Sequence, residues 1–158
     1  MAASPLQDSL ILAYCRVWPA GLSPKAPGTC GSLVAILLAP WVFMPLPLWG
    51  RVLLLLAVFL SGVWASSRAI VLLGHKDPSE VVIDEVLGQW LTCLPFLTLS
   101  FWGYAAALFF FRLFDIIKPW YVGRAEKLPG GLGIMADDAV AGVYAMACLW
   151  GFLALTGL

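Results

Sequence analysis

The feature that most restricts this chain is a series of five apolar runs with charge confined to their ends. They cover Gly31–Trp49, Val52–Leu73, Val81–Ser100, Phe101–Ile117 and Ala139–Leu158. A run of about 20 apolar residues, rising about 1.5 Å each in a helix, matches a hydrocarbon core about 30 Å thick. Hydrophobic residues make up 62% of the chain and charged residues 11%. A water-soluble domain of about 150 residues buries only about 70% of its unfolded surface and could not hide that much apolar area. The expectation is therefore an all-α integral membrane protein. It would be a compact bundle of about four to five transmembrane helices, with a short amphipathic N-terminal segment along the membrane surface. One domain over residues 1–158 is expected, with 1–30 as the N-terminal interfacial segment and 31–158 as the bundle.

Pro40, Pro45 and Pro47 predict a kinked or irregular second half of the first run. The third and fourth runs are short for full spans, and a tight or re-entrant hairpin around Ser100 is the alternative. Polar stretches at Gly74–Glu80 and Lys118–Asp138 read as loops. No basic region followed by an apolar core opens the chain, so no cleaved signal peptide is expected. The four cysteines have no metal or disulfide spacing. A net charge of zero gives no reason to expect a nucleic-acid partner.

Five spans with the N-terminus inside would put eight of the nine basic residues on the cytoplasmic side, with Arg51 alone outside. That asymmetry follows the positive-inside rule. The same topology brings Asp84, Glu85, Asp115, Asp137 and Asp138 to the cytoplasmic ends of three separate runs. Ionisable groups beside a membrane segment are costly and usually have a partner or a role. Converging carboxylates repel one another, and a divalent cation such as Mg²⁺ is the simplest compensation. Each element also has a plainer reading. Asp84–Glu85 and Asp137–Asp138 could cap helices, and Asp115 could pair with Arg112 or Lys118 at a spacing of three. Gly-rich stretches at Pro27–Ser32 and Gly130–Gly133 could present backbone N–H groups to phosphate or could be simple turns. His75, the only histidine, reads as a solvated loop residue.

These pieces resemble the bacterial phosphatidylglycerophosphatase A family. The matching residues are Gly21-Leu22-Ser23-Pro24 with Pro27-Gly28-Thr29 and Gly31-Ser32-Leu33, then Asp84-Glu85 with Gly88. Phe111-Arg112 with Phe114-Asp115 and Lys118-Pro119 follow, and then Gly130-Gly131, Gly133-Ile134-Met135, Asp137-Asp138 and Ala141-Gly142. They stand in the family's order between residue 21 and about residue 145. The resemblance implies a Mg²⁺-dependent multi-pass enzyme of the bacterial inner membrane, with its active site facing the cytoplasm. It would hydrolyse phosphatidylglycerophosphate to phosphatidylglycerol ahead of cardiolipin synthesis. In that reading Asp84, Glu85, Asp137 and Asp138 hold metal. Asp115, Asp84 and Asp138 carry the chemistry, with Asp115 a ligand or the general base. Lys118, Arg112, Thr29, Ser32 and Lys25 contact the substrate phosphate. The expected partners are the lipid substrate and membrane lipids, and a homo-oligomer is left open. A small cation or proton-coupled transporter is the competing class, and it predicts carboxylates along a path to both faces.

Overall fold

The computed structural model describes residues 4–157, so residues 1–3 of the expected interfacial segment and the terminal Leu158 lie outside it. Among the described residues there are seven α-helices and no strand. They are α1 (Pro5–Cys15), α2 (Pro27–Val42), α3 (Leu48–Leu73), α4 (Ile83–Cys93), α5 (Phe101–Ile117), α6 (Tyr121–Ala125) and α7 (Gly131–Thr156). Ser4 starts α1 with a capping box closed by Gln7, and Pro5 occupies its first turn. Ser100 caps α5 by accepting a hydrogen bond from the Gly103 backbone N–H at 3.1 Å.

Several boundaries differ from the apolar runs. The first run divides: α2 begins at Pro27 and ends at Val42, and the Pro45 and Pro47 region forms the turn into α3. The third run yields only the 11-residue α4, about 16 Å long, because backbone helicity stops at Cys93 just before Pro95. Asp137 and Asp138 were candidate caps of the last helix, but α7 starts at Gly131, so both sit in its second turn. Only α3 and α7, at 26 residues each, are long and apolar enough on their own to cross a bilayer.

The interior is mostly apolar, but large apolar side chains also cover much of the surface and several polar ones are buried. Leu37, Trp41, Leu56, Leu60, Trp64, Phe109, Trp150 and Leu155 face outward, whereas Ser32, Ser66, Gln89, Thr92, Glu85, Asp137 and Asp138 are buried. The most extensive helix contact is α4 against α7. It is close because Gly88 and Gly142 face each other. A Cβ on Gly142 would meet the Gly88 carbonyl at 2.6 Å, and a Cβ on Gly88 would meet the Phe111 ring at 2.3 Å.

Arg51 stands at the end of the fold opposite the carboxylates. It occupies the first turn of α3 and is 4% exposed. Its guanidinium donates to the carbonyls of Leu46 at 2.9 Å, Met44 at 2.5 Å, Leu94 at 3.1 Å and Phe96. Those carbonyls follow α2 and α4, where no helical N–H is left to pair with them. One buried cation thus ties together the ends of three helices, at the end opposite the carboxylates. At the carboxylate end, α1 is held to α3 by the Arg68–Asp8 ion pair at 3.1 Å, and Arg16 pairs with Glu80.

Candidate functional site

Three helix ends bring the five carboxylates together. Asp84 and Glu85 occupy the first turn of α4, Asp115 the last turn of α5, and Asp137 and Asp138 the second turn of α7. All five line a single cavity of about 860 Å³. The α2 start at Pro27–Gly28 and the 76–81 and 126–130 connections complete its walls. Glu85 and Asp138 are buried, and Asp84, Glu85, Asp115 and Asp137 each lie close enough to Asp138 to oppose a negative charge there.

The cations divide this cluster into two kinds of carboxylate. Arg112 Nη1 donates to both oxygens of Glu85 at 2.6 Å and pairs with Asp115 Oδ2 at 2.8 Å. Ser32 Oγ donates to Glu85 Oε2 at 2.6 Å and is itself fully buried. Lys118 donates to Asp137 Oδ2 at 2.7 Å and to Glu126 Oε1 at 2.9 Å. Asp84 and Asp138 have no cationic partner among the described residues, and the buried Asp138 Oδ2 has no hydrogen-bond partner at all. Among those residues no three His, Cys, Asp or Glu side chains form a ready-made metal cage. Glu85, Asp115 and Asp137 are instead committed to Arg112 and Lys118.

Backbone geometry explains how Lys118 reaches across. It is the C-cap of α5, with φ 47 and ψ 55 in the left-handed region, and its N–H closes on the Phe114 carbonyl. Pro119 prevents the helix from continuing. The chain therefore turns at Lys118 and sends its side chain toward α7 rather than back to Asp115. Burial disfavours the ammonium charge, but the hydrogen bonds and charges of Asp137 and Glu126 outweigh it and hold the lysine pKa above its ordinary value.

The expected phosphate contacts separate. Lys118 lines the cavity. Arg112 and Ser32 stand behind Glu85, engaged with its carboxylate, and do not line it. Thr29 on α2 and the exposed Lys25 before that helix also lie outside the lining. Gly28 is a different kind of site residue: a Cβ there would sit 2.2 Å from Glu85 Oε1. Only the missing side chain lets α2 approach the carboxylate. Glu126, Lys76 and Lys127 line the cavity and escaped sequence reasoning, because each sits in a loop with no periodicity or motif to single it out. Gln89 was missed as well. It is fully buried one turn beyond Glu85, and neither atom of its amide has a partner among the described residues.

The family model for phosphatidylglycerophosphatase A matches residues 13–153. The chain belongs to this family. Two relatives named phosphatidylglycerophosphatase A agree with that. The one from Escherichia coli K12 is 37% identical over 82% of this chain and 76% of its own length. The one from Haemophilus influenzae is 34% identical over 80% and 78%. A protein from Bacteroides thetaiotaomicron named "Putative phosphatidylinositol-3-phosphatase" is 40% identical over 78% of this chain and 81% of its own. No solved structure matches the fold. The match to the phosphatidylglycerophosphatase A family includes every carboxylate that lines the cavity.

Proposed function

We propose that this chain is an integral membrane phosphatase that removes the terminal phosphomonoester of phosphatidylglycerophosphate, giving phosphatidylglycerol and inorganic phosphate. It works with Mg²⁺ at the cytoplasmic face of the bacterial inner membrane. The observation that carries the reading is the cavity itself, where carboxylates from α4, α5 and α7 meet a lysine beside apolar lining at Ile70, Val81, Ile116, Leu128 and Ile134. A head group fits among the charges, and the apolar wall leads toward lipid.

In the membrane, α3 and α7 span fully. α2 and α5, at 16 and 17 residues, reach about 24–26 Å and cross beside them. α4 enters from the cytoplasmic end and stops short, and Arg51 satisfies the carbonyls of the non-helical Leu94–Phe96 segment. Irregular backbone at membrane depth needs such protection. Arg16, Arg68, Lys76, Lys118, Arg124 and Lys127 then stand on the cytoplasmic side with the cavity.

The donor set fits Mg²⁺. That ion is commonly held by one or two carboxylates together with water and substrate phosphate, and of the five clustered carboxylates Asp84 and Asp138 are the two left without a cation among the described residues. When bound, it would neutralise phosphoryl charge and lower the pKa of water. Lys118, fixed by Asp137 and Glu126, offers a permanent positive charge to the phosphoryl oxygens. Arg112 holds Glu85 and Asp115 in place from behind. Asp115 gives Oδ2 to Arg112 and keeps Oδ1 to accept the proton of the attacking water. The P–O bond to glycerol breaks as water adds, and the departing glycerol oxygen takes up the proton that Asp115 removed and leaves as a hydroxyl. Collection of the carboxylates around one cavity, with Arg51 at the far end, favours this reading over a transport path.

Purified protein in detergent is expected to release phosphate from phosphatidylglycerophosphate with Mg²⁺ and not with a chelator. Release from neither condition would reject the reading. Phosphatidylinositol 3-phosphate belongs in the same assay, because of the name carried by the Bacteroides relative. Faster turnover of that lipid would reassign the substrate and keep the reaction.

A further inference from the structure

The cavity is larger than one phosphoryl group needs, and its cations are not all used. Three lysines line it: Lys76, Lys118 and Lys127. Lys118 is committed to Asp137 and Glu126. Lys76 and Lys127 are exposed and form no ion pair among the described residues. They come from two separate connections, the one between α3 and α4 and the one between α6 and α7. Those connections also bring apolar residues to the lining, Val81 from one and Leu128 from the other. Seven acidic side chains share the lining with the three lysines: Asp77, Asp84, Glu85, Asp115, Glu126, Asp137 and Asp138. In so acidic a cavity two unpaired lysines are the natural contacts for an anion that the carboxylate cluster does not hold.

We propose that Lys76 and Lys127 form a second anion subsite, which holds the phosphodiester of a lipid substrate while its phosphomonoester lies at Lys118 and the carboxylates. The inference rests on the phosphatase reading above and assigns two residues to the phosphodiester of the substrate named there. The diester joins the head group to the acylated glycerol. Lysines on the same two connections that bring Val81 and Leu128 to the lining would therefore meet it where the polar part of the substrate gives way to the apolar part. Lysine suits this position, since a monoanionic diester needs a point charge rather than a bidentate fork.

The test compares a lipid with both groups, phosphatidylglycerophosphate, and one with the monoester alone, phosphatidic acid. Both are presented in neutral detergent micelles, so that a charged membrane surface adds no attraction of its own. The measured quantity is the ratio of kcat/KM for the two lipids. Lys76→Gln and Lys127→Gln should each lower that ratio about tenfold, the scale of one charge-assisted hydrogen bond, through KM. The double variant should lower it further, and the Lys76→Arg/Lys127→Arg protein should restore most of it. Arg124→Gln, whose side chain stacks on Tyr121 at 5.3 Å outside the cavity, is the control. An unchanged ratio in the double glutamine variant overturns the subsite. Direct binding of short-chain forms of both lipids, measured in chelator, gives the same ratio without turnover. A wild-type protein that hydrolyses neither lipid would therefore defeat the phosphatase reading alone, while the binding ratio still judges the subsite.

Discussion

Replacing Arg112 with Gln tests whether the carboxylate cluster is held together as the structure describes. The Arg112 guanidinium contacts both oxygens of Glu85 at 2.6 Å and Asp115 at 2.8 Å. Side-chain exposure is 18% for Arg112, 9% for Glu85 and 14% for Asp115, so solvent screens these contacts weakly. Removing one partner of a buried pair costs about 3–5 kcal/mol, because the other charge stays behind without compensation. Here two carboxylates are stranded beside Asp84 and Asp138, so a loss of at least about 3 kcal/mol is expected. For a protein of this size that corresponds to a Tm lower by about 6–12 °C. The assay is thermal unfolding in detergent with chelator present, run as a double-mutant cycle with Glu85→Gln. The Glu85→Gln/Arg112→Gln protein should recover about 2 kcal/mol relative to the sum of the single changes. A single Arg112→Gln variant within about 0.5 kcal/mol of wild type would refute the clamp and return Arg112 to the substrate side of the site.

Three further outcomes follow from the same geometry. Asp138→Asn should raise Tm in chelator, since it removes an unpartnered buried charge facing four carboxylates, yet it should abolish turnover and the stabilisation by added Mg²⁺; a lower Tm together with normal turnover would contradict this. Gly88→Ala should separate α4 from α7, since its Cβ would press on Phe111 and on the Asp138 carbonyl at 2.7 Å, and a loss of about 1–3 kcal/mol with a larger fall in kcat is expected from unfolding and kinetics on the same preparation. Lys118→Gln should cost the same stability at pH 6 and pH 9. A lysine pKa raised in the folded state contributes fully below the unfolded value of about 10.4 and is lost only as pH rises through the folded one, so a Tm difference that shrinks between pH 6 and 9 would count against the pairing.

Much of this site was legible in the sequence because its carboxylates sit where apolar runs begin or end. Asp84–Glu85, Asp115 and Asp137–Asp138 needed only the alternation of spans to be brought to one face, and the structure gathers them around one cavity. The motif glycines were visible as motif, but their reason is tertiary: Gly28 leaves room for Glu85, and Gly142 lets α7 touch α4. Hydropathy misjudged lengths, since a window averages over Pro45, Pro47 and Pro95 while the backbone breaks at each. Pairing choices were hidden altogether. Spacing allowed Asp115 to reach either Arg112 or Lys118, and only the left-handed turn at Lys118 decides that it takes Arg112. Arg51 read only as the one basic residue on the outer side, and its structural role was not visible in the sequence. Only the folded chain reveals four carbonyls converging on it.

Asp84 and Asp138, the two of the five clustered carboxylates without a cation among the described residues, are proposed as the working metal-facing groups of a phosphatase. The most direct measurement is kcat for phosphate release from phosphatidylglycerophosphate at saturating Mg²⁺, for Asp84→Asn and Asp138→Asn beside Asp77→Asn. Asp77, itself exposed, lines the same cavity from the 76–81 connection. The account predicts a loss of 10³-fold or more, roughly the scale of a lost catalytic group, for the first two. It predicts a change of about twofold or less for Asp77→Asn. Turnover retained by folded Asp84→Asn or Asp138→Asn protein would contradict it.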